Sequence, residues 1–547
     1  MVEGIQTDVL VAGGGMAGLM AATRAHLAGG SVVLLTGTAG ASVRMAGFCT
    51  ALLDAPEDQP EALFNDMFIA GGFVNNPALL AAIVDRIGPE TRFFESLGVP
   101  FHRKDGKLAR RQAAGVSWPR AVFTLDMVGV DAGKLLTQRL RAAGEPAVRI
   151  LSGGFLLDLD MQDGAVCGGL VYLHPEKRWL HVQAPAVVLA TGGAGELFQK
   201  TTNFPGTQGI GYALALEAGA PLADMEFVSY EPTVAVAPEK IAGMELPTMA
   251  FPEGARLING QGEEFLRTAP PPSKDVMSRA MLREVREGRG TQHGAIYYDL
   301  REMSPEAAMG YSQIRRVLKA LDVSSRMAQI EVMPTQHFLM GGVATDEGGA
   351  AEIAGLYAAG EVAGGAHGAH RLATCGGTEV IAMGAISGES AARSVGSRKR
   401  SPGKRRAVAR PELLHASMDA TDQARFVRIK ASLEGGCGAL REERGLRASL
   451  SELQTLRDEL RSEGRLQTFV GRAALLTLSI ASSALARTES RGDHFRTDYP
   501  QRNDRCWLGN IRASLAEQGA DVALSYHRAG ISTRTAGPMP AADRCQG

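Results

Sequence analysis

Two kinds of hydrophobic pattern succeed one another along this chain. Short, unbroken apolar runs come first: Val9-Leu10-Val11-Ala12, then Val32-Val33-Leu34-Leu35, and later Ala186-Val187-Val188-Leu189. Runs without polar alternation predict strands buried on both faces, as in a parallel sheet. Glycines punctuate them. Asp8–Ala12 enters Gly13-Gly14-Gly15-Met16-Ala17-Gly18 and then an alanine-rich stretch that predicts a helix. Ala186–Thr191 ends in Gly192-Gly193-Ala194-Gly195, and Gly355-Leu356-Tyr357-Ala358-Ala359 ends in Gly360-Glu361. Toward the C-terminus the period changes. Leu446, Leu450, Leu453, Leu456 and Leu460 recur near one helical turn, and Leu466–Ala486 is rich in alanine and leucine. Residues from about Pro411 to Gly519 therefore read as helical, with the leucine stripe as core.

Between these parts the character shifts. From about Glu231 to about Val332 come Pro232, Pro238, Pro247 and Pro252 and the charged segment Lys274 to Arg289. The stretch reads as a second domain inserted into an α/β fold. The expected organisation is residues 1–230 and 333–395 as two parts of one nucleotide-binding domain, with the insert at 231–332. A basic linker follows at 396–410, containing Ser397–Arg406, and a helical C-terminal domain and tail at 411–547. A basic run between folded parts reads as a solvated connection.

The glycine segments carry the first chemistry. A strand, a tight glycine turn and a helix start form a cradle for a pyrophosphate at the positive end of the helix. Gly13, Gly15, Met16, Ala17 and Gly18 are the expected contacts, and Thr36, ending the next strand, stands where a ribose-gripping acid is expected. Ala190, Thr191 and Gly192 add a second nucleotide-contacting turn. The Gly360-Glu361 pair, far downstream, completes a site suited to FAD rather than a nicotinamide cofactor. Gly376-Gly377 precede the predicted helix Thr378–Met383, whose N-terminus can neutralise charge on a reduced flavin. Close strand–helix packing explains the same glycines equally well.

Composition narrows the class. Lys+Arg total 58 against Asp+Glu 59, a net charge of -1, which argues against a nucleic-acid partner. The first strand begins almost at once and no apolar run approaches the ~18 residues of a membrane span, so a cytoplasmic protein is expected. Cys49, Cys167, Cys375, Cys437, Cys506 and Cys545 show no ligand spacing, so neither zinc nor an iron–sulfur cluster is expected in this chain.

Seven ordered segments resemble the flavoprotein superfamily of succinate dehydrogenase, fumarate reductase and L-aspartate oxidase, with the adenylylsulfate reductase α subunit more distant. They are Ala190–Gly195, Thr201–Asn203, Asp224–Phe227, Pro334–Val343, Gly355–Glu361, His367–Leu372 and Glu489–Pro500. The resemblance implies a Rossmann-like FAD-binding domain, an inserted α+β capping domain and a C-terminal helical domain. It implies that Arg371 and His337 hold a substrate carboxylate beside the flavin, with His367 and His370 near it. His370 replaces the usual asparagine before the arginine. Lys274 takes the position of the family's proton-shuttle arginine, and Arg279 and Arg283 further along are alternative cations.

The departures bear on substrate. Glu231 stands where the family has a histidine for a second carboxylate, and a glutamate there repels a carboxylate unless protonated. Counting back from Leu257-Ile258-Asn259 places Pro247-Thr248 where a Thr-Glu pair is usual. No histidine lies in Ala41–Gly47, the region through which several family members tether FAD, so noncovalent flavin is expected. The expected activity is hydride transfer between flavin N5 and a carboxylate-bearing small molecule. The alternatives are an L-aspartate oxidase-like oxidase and an electron-transfer subunit serving an iron–sulfur partner protein.

Overall fold

The computed structural model describes residues 3–38, 40–266, 272–396, 418–516 and 521–528. The expected basic linker, beyond Gly396, and the tail after Arg534 lie outside these residues. At the centre is a five-stranded parallel sheet. Its order is Leu356–Ala358, Ala186–Leu189, Val9–Ala12, Val32–Thr36 and Val148–Ser152. The apolar runs are continuous because both faces are covered. Val9, Val11, Val32, Leu34, Ala186 and Val188 pack toward the helices Met16–Leu27, Pro77–Leu97 and Cys375–Val395. Leu10, Ala12, Val33, Leu35, Val187 and Leu189 face the opposite core, shared with the antiparallel strands of 154–183 and the C-terminal helices. The alanine richness of Met16–Leu27 has a packing cause. A Cβ at Gly384 or Gly388 of the Cys375–Val395 helix would run into the Ala17 and Ala21 carbonyls, so the two helices approach through small residues.

The insert is a four-stranded antiparallel sheet, ordered Val228–Ala237, Gln329–Leu339, Ile296–Asp299 and Arg256–Ile258, with the helix Lys274–Arg286 against it. It has its own core, including Leu246, Met277, Met281, Ile296 and Tyr298. The positions 230/231 and 332/333 fall inside the paired strands Val228–Ala237 and Gln329–Leu339. These two long strands run from the central domain into the insert.

The C-terminal part packs three helices, Ala420–Cys437, Glu443–Ser462 and Phe469–Ala486. Leu446, Leu453, Leu456 and Leu460 are fully buried, and Leu450 is partly so. Phe469–Ala486 reaches the length and hydropathy of a membrane span, which the sequence did not lead us to expect, yet 78% of it is buried within the fold. It is a core helix. The helical reading, which ran to about Gly519, fails at Gly509–Leu515, a strand that pairs antiparallel with Val522–Arg528 on one side and Leu222–Ala223 on the other.

Candidate active site

A cavity of about 780 Å³ opens at the C-terminal ends of the parallel strands, where ligands of open α/β sheets bind. Its wall includes Gly13, Gly15, Met16, Ala17, Ala190, Thr191, Gly192, Gly360 and Glu361. The glycines divide by role. A Cβ at Gly13, whose φ is 128°, would run into the Ala190 carbonyl, and one at Gly18 would run into the Gly13 carbonyl. These two serve packing, and Gly18 does not line the cavity. A Cβ at Gly15 would meet only Ser42 Oγ, at 3.4 Å, and one at Gly192 would meet nothing within 4 Å. Their absent side chains leave room for a ligand. At the helix start the Met16 amide donates to Ser42 Oγ at 3.0 Å, and the first-turn amides have no intrahelical acceptor. A backbone cradle at a helix start fits the pyrophosphate of FAD.

Thr36 ends the Val32–Thr36 strand. It does not line the cavity; its Cβ and Cγ2 fill the space beside Gly14, where an added Cβ would lie 2.8 Å away. Leu35, Gly37 and Thr38 line the cavity at that strand end instead.

The helix Cys375–Val395 begins three residues earlier than expected, so Gly376 and Gly377 sit inside its first turn and on the cavity wall. A Cβ at Gly377 would lie 2.8 Å from Met45 Sδ and 2.9 Å from Phe48 Cβ. The glycine permits close packing, and the helix start, with no side-chain cap from Thr374, lies at the cavity. Glu361 accepts the Leu339 amide at 3.0 Å, and burial raises its carboxyl to about 7.

Arg371 and His337 reach the same wall from different elements. His337 belongs to the Gln329–Leu339 strand. Its Nδ1 is 2.7 Å from Thr202 Oγ1, while Asn203 Nδ2 donates to its carbonyl at 3.0 Å. The Thr201-Thr202-Asn203 segment therefore holds this histidine, a role its sequence did not disclose. Burial, reinforced by Arg371, Lys274 and Arg44, keeps His337 far below the usual histidine range, hence neutral. The Arg371 guanidinium stacks 4.7 Å from the Phe338 ring centre, and its Nε is buried without an acceptor. The other cavity-lining arginines, Arg44 and Arg472, pair with Glu245 and Glu217. Arg371 has no carboxylate partner among the described residues.

Four expected substrate or catalytic residues stand off the wall. Glu231 is buried and ion-paired with Lys274, so its carboxylate does not face a ligand alone and the ammonium is engaged. Arg279 pairs with Asp275 at 2.8 Å. His367 is buried, 3.3 Å from Glu379 Oε2. His370 Nδ1 lies 2.8 Å from Asp493 Oδ2, which arrives from the C-terminal domain. The counted-back pair is also corrected. Pro247-Thr248 opens the turn Thr248–Glu253, and it is Glu245, two residues earlier, that lines the cavity. Burial and the neighbouring Glu231 raise the Glu245 carboxyl, against Lys274 and Arg44. Neither Glu245 nor Arg44 was singled out in the sequence. Arg44 ends the turn Ala41–Arg44.

Comparison with known proteins agrees with this cavity. Residues 8–376 match the FAD binding domain family, and residues 427–544 match the family described as fumarate reductase flavoprotein C-term. A fumarate reductase (CoM/CoB) subunit of Methanothermobacter marburgensis is 31% identical, over 91% of this chain and 95% of that protein. L-aspartate oxidase of Mycobacterium bovis is 32% identical, over 94% and 96%. Mycobacterium smegmatis Sdh1 superposes with a TM-score of 0.86 at 28% identity, covering 97% of this chain and 95% of that one. The chain belongs to the family of FAD-dependent oxidoreductases that includes the fumarate reductase and succinate dehydrogenase flavoproteins and L-aspartate oxidase.

Proposed function

We propose that this enzyme moves a hydride between flavin N5 and a carbon next to a carboxylate, and that Arg371 and His337 hold that carboxylate. The observation carrying this reading is the state of Arg371: a guanidinium on the cavity wall with no carboxylate partner among the described residues. Its planar fork matches a carboxylate bidentately. His337 is the natural second donor. With Nδ1 accepting the Thr202 hydroxyl proton, Nε2–H is left to donate to the ligand. Phe338, stacked on Arg371, limits where the guanidinium can turn.

Bound FAD supplies the two-electron chemistry at N5. Gly13, Gly15, Met16 and Ala17 would hold its pyrophosphate, and Glu361 with Gly360 the chain leading to the ring. The helix start at Cys375 offers positive potential to the ring's electron-rich edge. Lys274, tied to Glu231, contributes its charge to the field around Glu245 and His337.

The electron acceptor has two readings. The relative from M. marburgensis is named as one subunit of its enzyme, which supports transfer to a partner protein. The similar identity to L-aspartate oxidase supports oxygen as acceptor. Anaerobic mixing with a panel of carboxylates tests the main reading: a substrate should bleach the oxidised flavin band in the wild type and not in Arg371→Ala. Admission of air then separates the acceptors by the speed of reoxidation.

A further inference from the structure

Two cysteines from distant parts of the chain meet behind the cavity wall. Cys49 ends the strand Gly47–Cys49, and Cys375 is the first residue of the helix Cys375–Val395. Strand and helix start are tied together at Cys49. Its carbonyl accepts the Thr378 hydroxyl at 2.7 Å, and its Sγ lies 3.0 Å from Thr374 Oγ1. The Cys375 thiol hydrogen-bonds Cys49 as well. Both are free cysteines and both are fully buried. Neither lines the cavity, but Thr374 and Gly376, on either side of Cys375, do. Thr374 adopts φ 65°, an outlier for a β-branched residue. Strain of this kind persists where surrounding contacts hold it, and it collects at functional sites.

The two thiols are not equivalent. The hydrogen bond from Cys375, with Thr374 and the Arg120 charge, holds Cys49 below the usual thiol value, against burial and Asp66. The same bond, with burial and the Cys49 charge, raises Cys375 well above it. Burial alone has the opposite effect from that seen at Cys49, as at the lone core thiol Cys437, which is raised. One sulfur of the pair is therefore the nucleophile and the other keeps its proton.

We propose that Cys49 and Cys375 form a peroxide-sensitive dithiol that closes reversibly to a disulfide beside the flavin site. The oxidant is hydrogen peroxide, the product of reduced flavin and oxygen, which is small and uncharged enough to reach a buried pair from the cavity. The Cys49 thiolate attacks one peroxide oxygen, the O–O bond breaks, and the departing hydroxide takes the Cys375 proton and becomes water. The Cys375 sulfur then attacks the Cys49 sulfenic acid. The S–O bond breaks, and the second oxygen leaves as hydroxide, which regains as water the proton that Cys49 had lost. Two electrons pass from the sulfurs to the peroxide, and an external dithiol reverses the step by exchange. Closure takes Cys49 Sγ away from Thr374 and alters the turn that borders the cavity. The inference stands apart from the roles of Arg371 and His337.

The test is non-reducing peptide mapping of the FAD-loaded enzyme after brief exposure to a small molar excess of hydrogen peroxide. The peptides carrying Cys49 and Cys375 should be joined, and dithiothreitol should separate them. The flavin absorbance should shift on oxidation and return on reduction. A bulky aromatic disulfide reagent should leave the pair untouched in the native protein, because both residues are buried. In Cys375→Ser the Cys49 sulfenic acid has no thiol to resolve it and should be trapped by dimedone. In Cys49→Ser, Cys375 should stay a free thiol. Native wild type whose Cys49 and Cys375 both remain free under peroxide that oxidises them in urea would overturn the proposal. So would oxidation of Cys375 in Cys49→Ser as fast as in the wild type. Where a variant fails to fold, the wild-type map decides alone.

Discussion

Replacing Arg371 with alanine should weaken ligand binding roughly 100-fold while leaving fold and flavin intact. A bidentate guanidinium–carboxylate contact contains two charge-assisted hydrogen bonds, each contributing about 1.5–3 kcal/mol. The two are not additive, and a loss of about 3 kcal/mol corresponds to roughly 100-fold in affinity. Stability should respond very differently. Arg371 Nε is already buried without an acceptor, so deleting the group removes a desolvation penalty of about 1–3 kcal/mol. The stacking on Phe338 that is lost contributes about 0.5–2 kcal/mol. These oppose each other, and the melting temperature should stay within about 2 °C. Arg371→Lys should recover only part of the affinity, because an ammonium returns the charge without the fork. The assay is a titration of the FAD-loaded variants with a carboxylate ligand, followed by flavin absorbance, beside thermal denaturation. A near-normal dissociation constant in Arg371→Ala would refute the clamp. A large drop in melting temperature with loss of FAD would show that Arg371 is a structural cation.

Gly15→Val should fold and lose FAD, because the protein around Gly15 tolerates a Cβ and the pyrophosphate does not; Gly18→Val should fail to fold, since its side chain would meet the Gly13 carbonyl. A Gly15→Val protein purified fully loaded with flavin would show the cradle to be misassigned. Acid precipitation should release all yellow colour into the supernatant, since Ala41–Gly47 offers no histidine for a tether; colour kept in the washed pellet would contradict this. Thr202→Val should weaken carboxylate binding by about 1–3 kcal/mol, through the lost hydroxyl on His337 Nδ1, and Thr202→Ser should restore it; equal affinities across the three proteins would rule out the threonine's role. For His370, burial lowers the imidazole's proton affinity, but the charge and hydrogen bond of Asp493, with Asp275, outweigh it and hold the pKa above the ordinary value. A raised histidine contributes stability fully below its unfolded pKa of about 6.5 and loses it as pH rises through the folded value. The melting-temperature gap between wild type and His370→Asn should therefore shrink as pH rises above about 6.5; a constant gap would mean that the pair does not titrate there.

The parts legible in the sequence are those set by short-range spacing. Gly13 to Gly18, Gly360-Glu361 and the fully apolar strands are local patterns, and the cavity forms where they converge. Contacts made across variable loops were not legible. Glu245 reaches the wall at the end of a loop whose length differs from the expected one, so counting back landed on Pro247-Thr248. Thr36 was placed by position in the strand, whereas its side chain turns toward Gly14. Glu231 was read as a lone charge because nothing in the sequence shows Lys274 beside it, 43 positions away. The hairpin at 509–528 did carry a signal. Ile511, Ala513 and Leu515 alternate with Asn510, Arg512 and Ser514, a period of two that the helical reading of the whole C-terminal stretch overrode.

The C-terminal resemblance, Glu489–Pro500, acquires a physical meaning from what it touches. Arg487 bonds Glu226 at 2.7 Å and Glu489 at 2.9 Å, Arg491 bonds Glu489 at 2.7 Å, and all four side chains are buried. Buried ion pairs add little net stability over apolar packing, but breaking one by removing a partner costs about 3–5 kcal/mol. Such a network therefore fixes geometry more than it adds stability. What it fixes is the loop behind the clamp. Gly492 adopts φ 53°, and a Cβ there would run into the Ala369 carbonyl. The Asp493 amide donates to that same carbonyl at 2.9 Å, and the Asp493 carboxylate meets His370. Arg371 is the next residue. The C-terminal domain thus sets the backbone from which Arg371 projects, while the insert supplies Glu245 and the central domain the FAD cradle. The geometry of the clamp depends on all three parts being docked, which accounts for a family likeness that runs through the whole chain and not through the nucleotide-binding turns alone.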